Sequence, residues 1–109
     1  MPWSLLSAQL RLAIVLAMGL LCASTQAQTA QELNTRTLAA TCANCHGTDG
    51  RPVGGSDSAR LAGQSRDFLI EQLNAFRSGS RPATVMHQLA KGYSDAQILA
   101  LATYFASQP

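Results

Sequence analysis

Two cysteines and a histidine stand close together near the middle of the chain. Cys42 and Cys45 are separated by two residues, and His46 follows Cys45 directly. In an exported protein this C-x-x-C-H spacing is typical of covalent haem attachment. Two thiols one helical turn apart can add to the two vinyl groups on one edge of a porphyrin, and the histidine then binds the iron. The motif therefore predicts one haem c, attached through Cys42 and Cys45, with His46 as the proximal iron ligand.

Other uses of paired cysteines stay open at this point. A thioredoxin-like redox pair needs a preceding strand in a βαβ unit, whereas the residues before Cys42 favour a helix. A zinc site needs three or four protein ligands, and beyond the motif only His87 offers another thiol or imidazole after residue 27. The motif also occurs by chance in structural domains. Export and spacing together favour haem attachment over these three alternatives.

Met86 is the predicted distal ligand of the iron. It is the only methionine after residue 27, and it lies in an irregular stretch of sequence. A methionine in a loop can approach the open face of a haem, and His/Met ligation raises the reduction potential. Filling of the hydrophobic core is the alternative role for Met86. His87 is the rival ligand, and otherwise a solvated side chain beside Met86.

Three helices are predicted to position these residues, because apolar side chains recur every three or four positions in three segments. Ser65 and Ser94 suit the N-caps of the second and third segments, and Gly79 suits the end of the second. No segment shows the alternation of a strand. The pattern predicts an all-α domain with helices at residues 30–44, 66–78 and 95–107.

Two irregular stretches join these helices. The first covers residues 47–63 and is rich in glycine, and a loop of this length is uncommon in a compact domain unless it has a function. The second covers residues 79–93, includes Met86, and is predicted to hold a short helix near residues 85–90. We expect both stretches to wrap around the haem.

The first 27 residues differ from the rest of the chain. Arg11 is their only charge, residues 12–23 are apolar or small, and four small or polar residues follow. This pattern predicts a secretory signal peptide over residues 1–27, cleaved after Ala27, and a functional domain over residues 28–109. The absence of a twin-arginine pair favours the general secretory route to the periplasm. An uncleaved membrane anchor is the alternative, but the apolar run is short for a spanning helix.

Charge and size limit the possible functions further. Eight basic and six acidic residues give a net charge of +2, and the basic residues are scattered, so nucleic-acid binding is not expected. No nucleophile–base pair is evident. A mature chain of about 80 residues is short for a large core, so a covalent cofactor would supply part of it.

The sequence resembles the class I cytochromes c over essentially all of the predicted mature chain. The matching blocks are CANCHGTDG, LAGQ, FRSGSRP and MHQLAKGYSDAQILALATYF, at residues 42–50, 61–64, 76–82 and 86–105. The later blocks are similar to the cytochrome subunit of flavocytochrome c sulfide dehydrogenases. The resemblance implies three to four helices around one covalently attached haem. Carried over to this chain, it makes Cys42 and Cys45 the attachment points and His46 and Met86 the iron ligands.

The resemblance also implies a function, which is one-electron transfer in the periplasm rather than catalysis on a substrate. Its partners would be redox proteins, with a flavoprotein sulfide dehydrogenase subunit as one candidate. The alternatives are a free soluble carrier for another respiratory enzyme, or a peroxidase-type enzyme if the sixth iron position is open. One departure concerns Ala59, because relatives usually have a proline there, near the carbonyl that supports the proximal histidine.

Overall fold

The computed structural model describes Ala8, Arg11 and residues 30–109, so most of the predicted signal peptide lies outside the described residues. The described part contains helices and no strand, which confirms the all-α prediction. No helix in this part is long and apolar enough to cross a membrane. By contacts the chain divides into two units, Met1–Asn34 and Thr35–Pro109. The helices are α1 (residues 30–40), α2 (Ala43–His46), α3 (Arg66–Ser78), α4 (Met86–Leu89) and α5 (Asp95–Ala106), with 3-10 turns at Thr48–Gly50 and Ala90–Gly92.

Local capping sets the bounds of the two long helices after the motif. The Ser65 hydroxyl accepts from the Phe68 amide at 3.2 Å at the start of α3, and Gly79 ends the helix in the left-handed region at φ 81°. At α5 the Ser94 hydroxyl accepts from the Gln97 amide, and the Gln97 side chain accepts from the Ser94 amide. These bonds satisfy amides that have no partner within the helix, so both predicted starts are confirmed.

The first predicted helix is wrong in one respect, because it does not run unbroken to residue 44. α1 stops at residue 40, a turn follows at residues 41 and 42, and α2 begins at Ala43. The amides of Thr41 and Cys42 donate three residues back, and the Thr41 hydroxyl donates to the same Leu38 carbonyl at 2.7 Å. This tighter pattern competes with the α-helical ladder and breaks it. The motif therefore occupies a helical turn of its own.

The hydrophobic core is small. Eight apolar side chains are buried among the described residues, and four of them are alanines. The main cluster joins the end of α1 to α3 and α5. Ile98 and Leu101 are the largest fully buried side chains among the described residues. Because an alanine buries little apolar surface, most of the hydrophobic stabilisation comes from a few larger residues. The main cluster consists of Ala39, Leu69, Leu101, Ala102 and Phe105.

Candidate haem site

The two thiols and the histidine of the motif lie on one helical turn. Cys42 is the N-cap of α2 and is half-buried, Cys45 is exposed, and neither forms a disulfide. The His46 amide donates to the Cys42 carbonyl at 2.9 Å, which closes the turn. Burial raises the pKa of the Cys42 thiol, and the Thr41 hydroxyl lowers it by less. The structure therefore places both cysteines and His46 on one helical turn, as the spacing predicts.

The ring of His46 is held by a main-chain carbonyl. Its Nδ1 lies 2.7 Å from the Ala59 oxygen. A carbonyl oxygen only accepts, so Nδ1 carries the hydrogen and Nε2 presents its lone pair outward. A bond of this kind fixes the orientation of a ligating histidine and increases its basicity. Because the main chain makes this contact, the side chain of Ala59 takes no part in it.

Gly50 folds the long loop back on itself and so delivers Ala59 to His46. The amides of Leu61 and Ala62 both donate to the Gly50 carbonyl, at 2.9 and 3.1 Å. The Gly63 amide donates to the Phe105 carbonyl of α5 at 3.0 Å. The long loop thus places a main-chain acceptor beside His46.

Asp49 and Tyr104 form a contact that the sequence pattern did not predict. Tyr104 Oη donates to Asp49 Oδ1 at 2.5 Å, across 55 positions of sequence. Asp49 is the only non-glycine residue in the described part with a positive φ, at 54°. The other Asp49 oxygen lies 3.7 Å from the Arg51 guanidinium. No local signal marks this pair, since it depends on where the loop meets α5.

The Tyr104 contact makes stability depend on pH at the alkaline end. The hydrogen bond to Asp49 is the largest cause that raises the pKa of Tyr104, and burial and the Asp49 charge raise it further. Arg36 lowers the pKa by less. A phenol whose pKa is raised by folding stabilises the fold below its unfolded pKa of about 10, and this contribution is lost as pH rises through the folded pKa. We expect the wild type to exceed Tyr104→Phe in free energy of unfolding by a constant amount below about pH 9, and the gap to shrink above about pH 10.

Denaturant titrations of both proteins between about pH 7 and about pH 11 measure this difference. A gap that stays constant over the whole range contradicts the expectation.

The predicted distal ligand lies on a different element from the motif. Met86 is the first residue of α4, which packs against α3, and its side chain is half-buried. His87 is also half-buried, and its Nδ1 is buried with no hydrogen-bond partner in the described part of the chain. The short helix predicted near residues 85–90 is therefore present. Val85 and Leu89 stand exposed beside these two residues, at 47% and 49%.

These residues fit a haem c. Cys42 and Cys45 are not joined by a disulfide and lie one turn apart, and the His46 tautomer leaves Nε2 available to bind a metal. Around α4, exposed apolar side chains adjoin a half-buried thioether and an imidazole nitrogen without a partner. A large apolar group with an iron at its centre would cover these exposed apolar side chains. The thioether or the imidazole nitrogen is a group that can bind the iron.

A model of the cytochrome c family matches residues 33–109. The chain belongs to the cytochrome c family. This confirms the resemblance found in the sequence, and it decides between the uses of the cysteine pair. The cytochrome binds one covalently attached haem c with its iron, and its role is in electron transport.

Three relatives illustrate the likeness. The cytochrome is 43% identical to a thiosulfate dehydrogenase electron acceptor of Thiomonas intermedia over 62% of this chain and 31% of that protein. It is 40% identical to the cytochrome subunit of sulfide dehydrogenase of Chlorobaculum tepidum over 64% of this chain and 62% of that protein. The solved cytochrome c4 of Acidithiobacillus ferrooxidans is 42% identical, with a TM-score of 0.55 over 61% of this chain and 38% of that one. The chain thus spans less than two thirds of each of these relatives.

Proposed function

We propose that this protein is a periplasmic mono-haem cytochrome that carries single electrons between redox proteins. Cys42 and Cys45 would attach the haem, and His46 and Met86 would bind its iron. Residues 1–27 are the signal peptide that directs export, and residues 28–109 form the cytochrome domain. The observation that carries the proposal is the 2.7 Å contact between His46 Nδ1 and the Ala59 carbonyl. That contact commits the ring to the tautomer that a metal ligand needs.

The residues of the chain have distinct roles in this proposal. When bound, haem c supplies an iron that exchanges one electron between its ferrous and ferric states. Cys42 and Cys45 hold the ring covalently, so the cofactor stays with the protein through many transfers. With His46 and Met86 both bound to the iron, no position would be left for oxygen or a small substrate. The loop that carries Ala59 holds the His46 imidazole in one orientation through the 2.7 Å contact.

Spectra of the purified protein test the proposal. We expect a c-type absorption spectrum in the reduced state and pigment that stays with the polypeptide in acidified organic solvent, because thioether bonds resist extraction. The protein should be released with the periplasmic fraction, with Gln28 as its first residue. A colourless periplasmic product, or pigment that moves into the solvent, contradicts the proposal.

Met86→Ala and His87→Ala form a matched pair that tests the sixth ligand. We expect Met86→Ala to lose the charge-transfer band between methionine sulfur and ferric iron, and to bind added azide at the open position. Its reduction potential should fall, because a thioether favours ferrous iron. His87→Ala should keep the band and stay closed to azide. Loss of low-spin character in His87→Ala alone would instead identify His87 as the ligand.

The relatives support a partner of defined chemistry. The Chlorobaculum protein is named as the cytochrome subunit of a sulfide dehydrogenase. This similarity supports the hypothesis that a sulfide-oxidising flavoprotein is the electron donor of the present protein. The Thiomonas protein is named as an electron acceptor of another enzyme, and it supports a free carrier. Size-exclusion chromatography of native extract separates these two roles. Co-elution of haem with flavin supports the subunit, and elution as a lone small protein supports the carrier.

A further inference from the structure

The position of the Ala59 carbonyl depends on a small 3-10 turn. That turn, Thr48–Gly50, follows directly after His46 and its neighbour Gly47. The carbonyl of its last residue, Gly50, accepts hydrogen bonds from the amides of Leu61 and Ala62. These two residues lie two and three positions beyond Ala59. A shift of the turn therefore moves the segment that contains the acceptor of His46. The imidazole and its acceptor are thus both tied to the same turn.

The turn is itself fixed to α5 by a side-chain bond. Tyr104 Oη donates to Asp49 Oδ1, and the Asp49 backbone is in the left-handed region at φ 54°. Aspartate enters this region more readily than most residues, but at some energetic cost, and it stays there when its surroundings hold it. A charge-assisted hydroxyl–carboxylate bond is a strong restraint of this kind. The Arg51 guanidinium lies 3.7 Å from the same carboxylate. Because both side chains are partly exposed, solvent screening weakens this ion pair.

We propose that Tyr104 and Asp49 are positioning residues for the haem, which set the strength of the His46–Ala59 hydrogen bond through the Thr48–Gly50 turn. This inference rests on His46 being the proximal ligand, as proposed above. A strong bond from Nδ1 makes Nε2 a better electron donor, and this stabilises ferric iron. The Tyr104–Asp49 pair therefore keeps the reduction potential lower than it would be with a loose turn.

Tyr104→Phe in the holoprotein is the primary test, because it removes one hydroxyl and changes no charge at neutral pH. We expect the reduction potential to rise. In the reduced, diamagnetic protein the His46 Nδ1–H proton resonance should move upfield, as its hydrogen bond weakens. Thr103→Val is the matched control, since it removes a neighbouring α5 hydroxyl that donates to the Leu99 carbonyl at 2.8 Å and does not contact the loop. The control should move neither quantity.

Asp49→Asn is the second variant. Asparagine tolerates the left-handed backbone and still accepts from Tyr104, but as a neutral acceptor it is weaker. Its Nδ1–H resonance should shift in the same direction as in Tyr104→Phe and by less. The substitution also removes a charge, which changes the reduction potential by itself, so the proton resonance is the measurement for this variant. If Tyr104→Phe does not accumulate, an unshifted resonance in Asp49→Asn overturns the inference.

The two proposals fail in different ways. A wild-type protein in which His46 does not bind haem overturns the proposed function, and this inference with it. A haem-ligated His46 whose resonance and potential do not respond to Tyr104→Phe overturns this inference alone. If Tyr104→Phe lowers the melting temperature but leaves the His46 resonance and the reduction potential unchanged, this inference is also overturned. Tyr104 then contributes to stability only.

Discussion

The Cys42→Ser, Cys45→Ser double variant is expected to accumulate without covalent haem and to unfold without a cooperative transition. Serine cannot form the two thioether bonds, so the cofactor is lost on extraction. Residues 30–109 then depend on eight buried apolar side chains, half of them alanine. Small domains with so little buried surface usually need a covalent or metal staple. A ligand that binds only the folded state stabilises it, and removing it reverses that effect.

Circular dichroism melts of the double variant and of wild-type holoprotein measure this effect. We expect a sharp melt only in the wild type, and haem staining of a denaturing gel only there. The haem-free wild-type chain, made without the attachment machinery, is the matched control because it keeps both thiols. A sharp, cooperative transition in either haem-free protein would show that the polypeptide core suffices by itself.

Gly47→Ala is expected to have the second largest effect, a fall of more than about 10 °C in the melting temperature of the holoprotein, or no holoprotein at all. Gly47 has φ 76° and ψ 166°, a region that only glycine adopts readily. A Cβ there would lie 1.8 Å from the Arg51 carbonyl oxygen, which is main chain and cannot rotate away. The loop after His46 must therefore move, at a cost of roughly 3 kcal/mol or more from strain and lost contacts.

Gly54→Ala is the control for this substitution. Gly54 lies in the same loop, its φ is not positive, and a Cβ there meets no atom within 4 Å. We expect a change within about 0.5 kcal/mol. Thermal melts of both variants, followed by haem absorbance, make the comparison. Equal melting temperatures in the two variants would mean that the backbone of Gly47 does not restrict the loop.

Local features of the fold could be predicted because they depend on neighbours in sequence. α3 covers the predicted residues 66–78, since Ser65 and Gly79 act within one turn of its ends. α5 begins after Ser94 for the same reason. The break between α1 and α2 was missed, because the spacing of apolar residues does not reveal that the Thr41 hydroxyl competes for the Leu38 carbonyl. Periodicity predicts a helix, whereas a single side-chain hydrogen bond can end it.

The chemical groups of the site follow from residues that are neighbours in the chain. The C-x-x-C-H spacing places two thiols and an imidazole on one helical turn, and that spacing is a property of neighbouring residues. What holds these groups in place depends on contacts between distant parts of the chain. Ala59 meets His46 across 13 positions, and Tyr104 meets Asp49 across 55. Such contacts depend on how a glycine-rich loop closes against α5, and closure is set by packing and main-chain bonds that no short stretch of sequence encodes.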